Sequence, residues 1–126
     1  MTKQLRDLLS RLRAQEGVEL AAAVATDGLL IESAARPGLE VEAIAAVASN
    51  GLAMAEALGR EIDKGGTKQT ILQYQSGLVL IEPLNNDAMV VLVANNRESL
   101  GRLRFLLDIH RHALNAALRH ENQEAR

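Results

Sequence analysis

The chain has 126 residues and a mass of 13.6 kDa, with 48% of it hydrophobic and 24% charged, which fits one folded domain over residues 1–126 and leaves no room for a second. It contains no Cys, no Trp, one Phe and one Tyr, so thiolate nucleophiles, disulfides and thiolate-bound metals are excluded and stacking platforms for bases or sugars are disfavoured. Lys plus Arg number 14 against 16 Asp plus Glu, a net charge of −2, so the basic excess of a general nucleic-acid binder is missing and no nucleic-acid partner is expected. The first residues run directly into an amphipathic pattern, with no signal-peptide core. No apolar stretch is read as approaching the roughly 20 residues that span a bilayer, so the expectation is a cytoplasmic, soluble chain without membrane insertion.

Leu5, Leu8, Leu9 and Leu12 recur at helical spacing, with Lys3, Arg6, Asp7, Arg11 and Arg13 between them, and predict a first helix that stops near Gly17. Residues 18–25 turn apolar, Thr26-Asp27-Gly28 interrupts them, and residues 29–33 resume, which predicts a hairpin with an Asp-Gly turn. The alanines at 21–23 lower the strand propensity of the first arm, and helix is the competing reading there.

After Pro37-Gly38, residues 41–62 form the longest helical pattern, with Ile44, Val47, Ala48, Gly51, Leu52, Ala55, Leu58 and Ile62 near one face. Ala43, Ala46, Ala53 and Ala57, with Gly51 and Gly59, make its flanks unusually small, so a sheet or another helix can approach closely. Plain helix propensity explains the alanines equally well. Glu42, Ser49, Glu56, Arg60 and Asp63 form the wetter side.

Lys64-Gly65-Gly66 ends that helix, and residues 68–74 alternate, with Thr70, Leu72 and Tyr74 on one side and Gln69, Ile71 and Gln73 on the other, as in an edge strand. Residues 78–81 read as a central strand ended by Pro83, and residues 89–93 as another, so the three strands form an antiparallel meander. Asn95 and Glu98 form a capping-box pattern before a last helix with Leu100, Leu103, Leu107, His110, Leu114 and Ala117 on one stripe, broadened by Phe105, Leu106 and Ile109. The polar tail from about 119 is expected to fray. Helices on both faces of a sheet would bury these apolar stripes.

No catalytic constellation emerges. The acids are scattered over polar helix faces, and His110, His112 and His120 lack an i, i+4 metal-ligand arrangement. No serine sits in a Gly-x-Ser-x-Gly elbow. Lys64-Gly65-Gly66-Thr67-Lys68 has the wrong order, and the wrong helix-to-strand context, for a phosphate-binding Walker loop. The expectation is therefore no enzyme, no catalytic residue, no metal and no cofactor.

The element order, the hairpin over residues 20–31, the small-residue helix ending before Gly65-Gly66, and Asn96-Arg97-Glu98-Ser99-Leu100-Gly101 leading to Leu103-Arg104 together resemble the Roadblock/dynein light-chain family. That family includes the bacterial MglB-like regulators of small Ras-like GTPases, and the resemblance spans about residues 5–118. It implies an α+β, profilin-like three-layer α/β/α sandwich with a five-stranded antiparallel sheet, in the order helix-strand-strand-helix-strand-strand-strand-helix. The long helix would lie on one face and the terminal helices on the other. It also implies a homodimer in which the strand after the long helix pairs with its two-fold mate, which would close an otherwise open edge. Mapped onto this chain, Gln69, Ile71 and Gln73 lie on the joining strand, and Ala46, Ala53 and Ala57 supply the close helix contact.

The leading functional expectation is a non-enzymatic homodimeric regulator or adaptor whose paired long helices dock a small Ras-like GTPase and modulate its hydrolysis. Glu42, Ser49, Glu56 and Arg60 are the partner-facing candidates. Arg60, near the helix end, serves solubility or capping as readily as it would serve a partner's phosphates. The rivals are a structural scaffold indifferent to nucleotide state and a small-ligand sensor of related fold, which would need a preformed pocket.

Overall fold

Eight elements follow one another as α1 (Thr2–Arg13), β1 (Val18–Ala25), β2 (Leu30–Ala35), α2 (Val41–Glu61), β3 (Thr70–Tyr74), β4 (Gly77–Leu84), β5 (Ala88–Ala94) and α3 (Leu100–Glu124). The structure, a computed structural model, describes residues 2–95 and 100–124. The expected capping pair of Asn95 with Glu98 lies partly outside the described residues, as does most of the 96–101 string. The strands form one five-stranded sheet in the order β2-β1-β5-β4-β3, antiparallel throughout. The α+β sandwich and the element order expected from the resemblance are thus observed.

The β1–β2 hairpin forms as the Asp-Gly signal predicts. Asp27 Oδ1 accepts the Leu29 N–H at 3.1 Å, and Gly28 has φ +99°, a conformation that L side chains avoid. A Cβ on Gly28 would also stand 3.1 Å from Ser49 Oγ, so this turn rests directly on α2. The alanines at 21–23 are strand residues and are 0–1% exposed. Their small side chains suit a strand covered on both faces, where volume outweighs propensity.

α1 and α3 lie on one face, where Leu5, Leu9, Leu12, Leu103, Leu107 and Leu114 meet Ala21, Leu78, Leu80, Val90 and Leu92, all almost fully buried. α2 lies on the other face over Leu20, Ala22, Val24, Ile81, Met89 and Val91. Each buried leucine contributes about 2 kcal/mol of transfer free energy, so the α1/α3 face dominates the stability of the single chain.

Several expectations are corrected. Phe105 and Ile109 do not broaden the buried stripe of α3, being 61% and 56% exposed. α3 runs on past Arg119 to Glu124. Pro83 does not end its strand. It lies inside β4 opposite Met89, beyond the last β3 pair at Ile81, so no strand on its free side needs the N–H that proline lacks. The stripe assigned to α2 is also split: Ala48 and Leu52 are buried, whereas Val47, Leu58 and Ile62 are exposed. Finally, α2 is, by length and composition, a helix apolar enough to cross a bilayer, contrary to the sequence expectation. Only 17% of its most apolar 18-residue window is buried within the chain, so most of that apolar surface needs another explanation.

Candidate functional site

The apolar surplus of α2 is concentrated on one flank. Val47, Met54, Leu58 and Ile62 follow at helical spacing and are 53–74% exposed. Val47 and Met54 stand beside Leu72 and Tyr74 of β3, which are also exposed. An open groove of about 540 Å³ runs between them, lined almost wholly by aliphatic groups that include Ile44, Val47, Gly51, Met54, Leu72 and Val79. Contiguous exposed apolar surface of this kind is characteristic of interaction sites. It ends at β3, an outermost strand of the sheet whose outer backbone groups have no neighbouring strand.

The residues singled out from the sequence distribute around this feature. Ala46, Ala53 and Ala57 are exposed on α2, but none of them lines the groove, and Ala53 lies on the opposite flank near the β4–β5 turn. Gln73 is exposed on β3, while Gln69 precedes the strand by one residue. Ile71 points into the α1/α3 core, so its side chain is not free to join a partner even though its backbone lies on the edge. The larger side chains Val47, Met54, Leu72 and Tyr74 were not assigned to an interface from the sequence. The available signal was the excess of apolar residues on α2 over what one sheet face can cover.

Of the four partner-facing candidates, Glu42 and Arg60 are exposed. Ser49 and Glu56 are half-buried and engaged within the chain. Ser49 Oγ donates to the Ala46 carbonyl at 2.9 Å beneath the hairpin turn. Glu56 accepts the Thr67 N–H at 3.4 Å, tying α2 to the loop before β3. All four lie on the flank away from the groove, so the apolar stripe and the wetter stripe present two distinct surfaces of one helix.

The most buried charge was not anticipated. Glu82, 3% exposed on β4, accepts from Arg111 Nε at 2.7 Å and from Gln69 Nε2 at 2.9 Å. Arg111 Nη2 also donates to Asp108 at 2.6 Å. The hydrogen bond to Glu82, followed by that to Asp108, holds the Arg111 proton more tightly than usual. An acid inside an otherwise apolar strand was the signal in the sequence, since such a charge needs a partner. Among the described residues no group of three His, Cys, Asp or Glu is placed to hold a metal ion.

The sheet is covered by helices on both faces and leaves one apolar flank of α2 open beside the edge strand β3. Residues 5–94 match the Roadblock/LC7 domain family, and the chain belongs to that family. Among curated relatives, the uncharacterized protein MJ0310 of Methanocaldococcus jannaschii is 29% identical over 100 residues, covering 79% of this chain and 87% of its own length. The structure of MglB from Myxococcus xanthus superposes with a TM-score of 0.84 at 17% identity, over 92% of this chain and 95% of that one. A Roadblock/LC7 domain from Streptomyces avermitilis gives 0.72 at 20% identity, over 86% and 96%. At these identities the structural likeness concerns the fold.

Proposed function

We propose that the chain is a non-enzymatic regulator or adaptor that acts as a homodimer and docks a small Ras-like GTPase. The observation that carries the reading is the uncovered apolar stripe of α2 continuing onto the free β3 edge. A second copy, applied antiparallel through β3, would continue the sheet and bring the two α2 flanks together. Val47, Met54, Leu72 and Tyr74 would then be covered, with Gln73 on the joining strand. Family membership and the MglB-like fold support the choice of a GTPase as partner. A solved MglB neighbour in a tetrameric arrangement, similar in fold with a TM-score of 0.82 at 14% identity, is consistent with a self-associating surface.

In that dimer the wetter flanks remain outward, and Glu42 and Arg60 are the exposed charges available to a docked partner. Ser49 and Glu56 act from beneath, holding the hairpin turn and the loop before β3. Modulation of hydrolysis would proceed by reshaping the GTPase rather than by chemistry from this chain. The test is binding of the purified chain to Ras-like GTPases from the same cell, loaded with GDP or with a non-hydrolysable GTP analogue. Preference for one nucleotide state is expected. Equal affinity for both would make the chain a structural scaffold, and no binding to any of them would overturn the GTPase reading.

A further inference from the structure

Charge is divided between the two helical layers. α1 and α3 together carry eight Lys or Arg against four Asp or Glu, in a chain whose total is −2. α2 has the opposite balance, with Glu42, Glu56 and Glu61 against Arg60. Glu32 and Glu82 reach the α1/α3 layer from the sheet and engage Arg6 and Arg111, which leaves Lys3, Arg11, Arg102, Arg104 and Arg119 exposed on it, with Asp7 and Asp108 as the exposed acids. The outward side of this layer is therefore basic, and an anionic surface is its electrostatic complement.

The same side carries apolar groups that the core does not use. Phe105, the one phenylalanine, and Ile109 stand one turn apart on α3 and are exposed. Arg102 lies one turn before Phe105, its guanidinium donating to the Glu16 carbonyl at 2.9 Å beyond the end of α1. From α1, Arg11 lines a shallow groove with Ala113 of α3. Two exposed side chains offer far less apolar area than a stable protein interface, which buries about 800 Å² per partner. A lipid surface has no such requirement, because headgroup charge adds to a small buried apolar area.

We infer that the outward face of α1 and α3 adsorbs to the surface of an anionic membrane without spanning it. Phe105 and Ile109 enter the headgroup region, and Arg11, Arg102 and Arg104 meet lipid phosphates. α2 then faces away from the membrane and stays free for its partner. A strand that pairs antiparallel with its own copy has its two-fold axis normal to the sheet, so in the proposed dimer both α1/α3 faces look the same way and bind one surface together. The strength of adsorption rests on that dimer, and its site does not.

The chain has no Trp, so Phe105→Trp gives the full chain one fluorescent reporter at the membrane contact. Leu58→Trp, at an exposed position of α2, gives one on the opposite layer. Each is titrated with vesicles of phosphatidylcholine alone and of phosphatidylcholine and phosphatidylglycerol in equal parts. With the anionic vesicles the Phe105→Trp emission is expected to shift to the blue and to be quenched by brominated lipid, at least about tenfold more tightly than with neutral ones. High salt reverses the shift, and the Leu58→Trp emission stays unchanged. Adding Arg11→Gln and Arg104→Gln, both at exposed positions, is expected to weaken adsorption about tenfold or more with the urea midpoint preserved. No shift with anionic vesicles, an equal shift with neutral ones, or a shift at Leu58→Trp in place of Phe105→Trp would overturn the inference. Soluble polyglutamate binding as tightly as the vesicles would also overturn it, and would make this a face for acidic polypeptides. Sedimentation of the same samples reads the dimer separately: a monomer that still adsorbs refutes the dimer and keeps this face, whereas a dimer that does not adsorb refutes this face alone.

Discussion

The two faces of the sheet are finished to different degrees. Under α1 and α3 the chain covers itself: six leucines from the two helices are at most 1% exposed and meet the apolar side chains of β1, β4 and β5. Under α2 it does not, for a single helix buries only Ala45, Ala48 and Leu52, leaves Leu58 exposed, and leaves Val47 and Met54 in the open beside Leu72 and Tyr74. The contrast separates the face that holds the single chain together from the face on which the proposed assembly would form. Substitutions can therefore be sorted by whether they strike the closed face, the open one, or the contacts that join layers.

The largest effect belongs to the closed face. Leu107→Ala removes a fully buried side chain and is expected to cost about 2–5 kcal/mol in urea unfolding, because the surrounding helices cannot close the void. A cost below about 1 kcal/mol would mean that this face is less tightly filled than it looks.

On the open face, Met54→Glu places a charge on a side chain 74% exposed in the single chain. Unfolding of the separated protomer should change by less than about 0.5 kcal/mol. Self-association, measured by sedimentation, should weaken by about a hundredfold or more, because each interface would bury an unpaired carboxylate from both copies. Unchanged association would move the dimer contact elsewhere.

Smaller effects test the joints. Glu82→Gln leaves Arg111 without its buried counter-charge and is expected to cost about 1–3 kcal/mol of folding stability, read by urea unfolding. Gly28→Ala forces a side chain into positive φ, with Ser49 Oγ 3.1 Å from the new Cβ, and is expected to cost about 1–2 kcal/mol. Arg36→Ala removes an ion pair to Glu19 of β1 just past the end of β2 and should shift stability by less than about 1 kcal/mol, as partly exposed pairs do.

Much of the fold was legible because its elements are locally marked. The leucine spacing of α1, the Asp27-Gly28 turn and the alternation into β3 each signal one structure at short range. What escaped depends on long-range neighbours. Pro83 reads as a strand end until β3 is seen to stop short of it. Phe105 and Ile109 read as core until the exposed side of α3 is located.

The same limit applied to the site. Periodicity placed Val47 and Leu58 with Ala48 and Leu52, because a helix apolar over more than one flank does not reveal which of them its own sheet will cover. The alanines drew attention as close-approach residues, yet the groove belongs to the larger side chains beside them. Glu82 was visible in the sequence, but its partners Gln69 and Arg111 are 13 and 29 residues away.

The central claim is that the open face pairs with a second copy through β3. The chain has no cysteine, so one introduced at Gln73, exposed on β3, carries a single nitroxide label per protomer. Pulsed dipolar spectroscopy is then expected to give a short, well-defined distance between labels on two copies, lost on adding Met54→Glu, while a label at Ser33 on the opposite edge gives none in that range. No dipolar coupling from Gln73 at concentrations where the chain sediments as a dimer, or coupling from Ser33 instead, would contradict the claim.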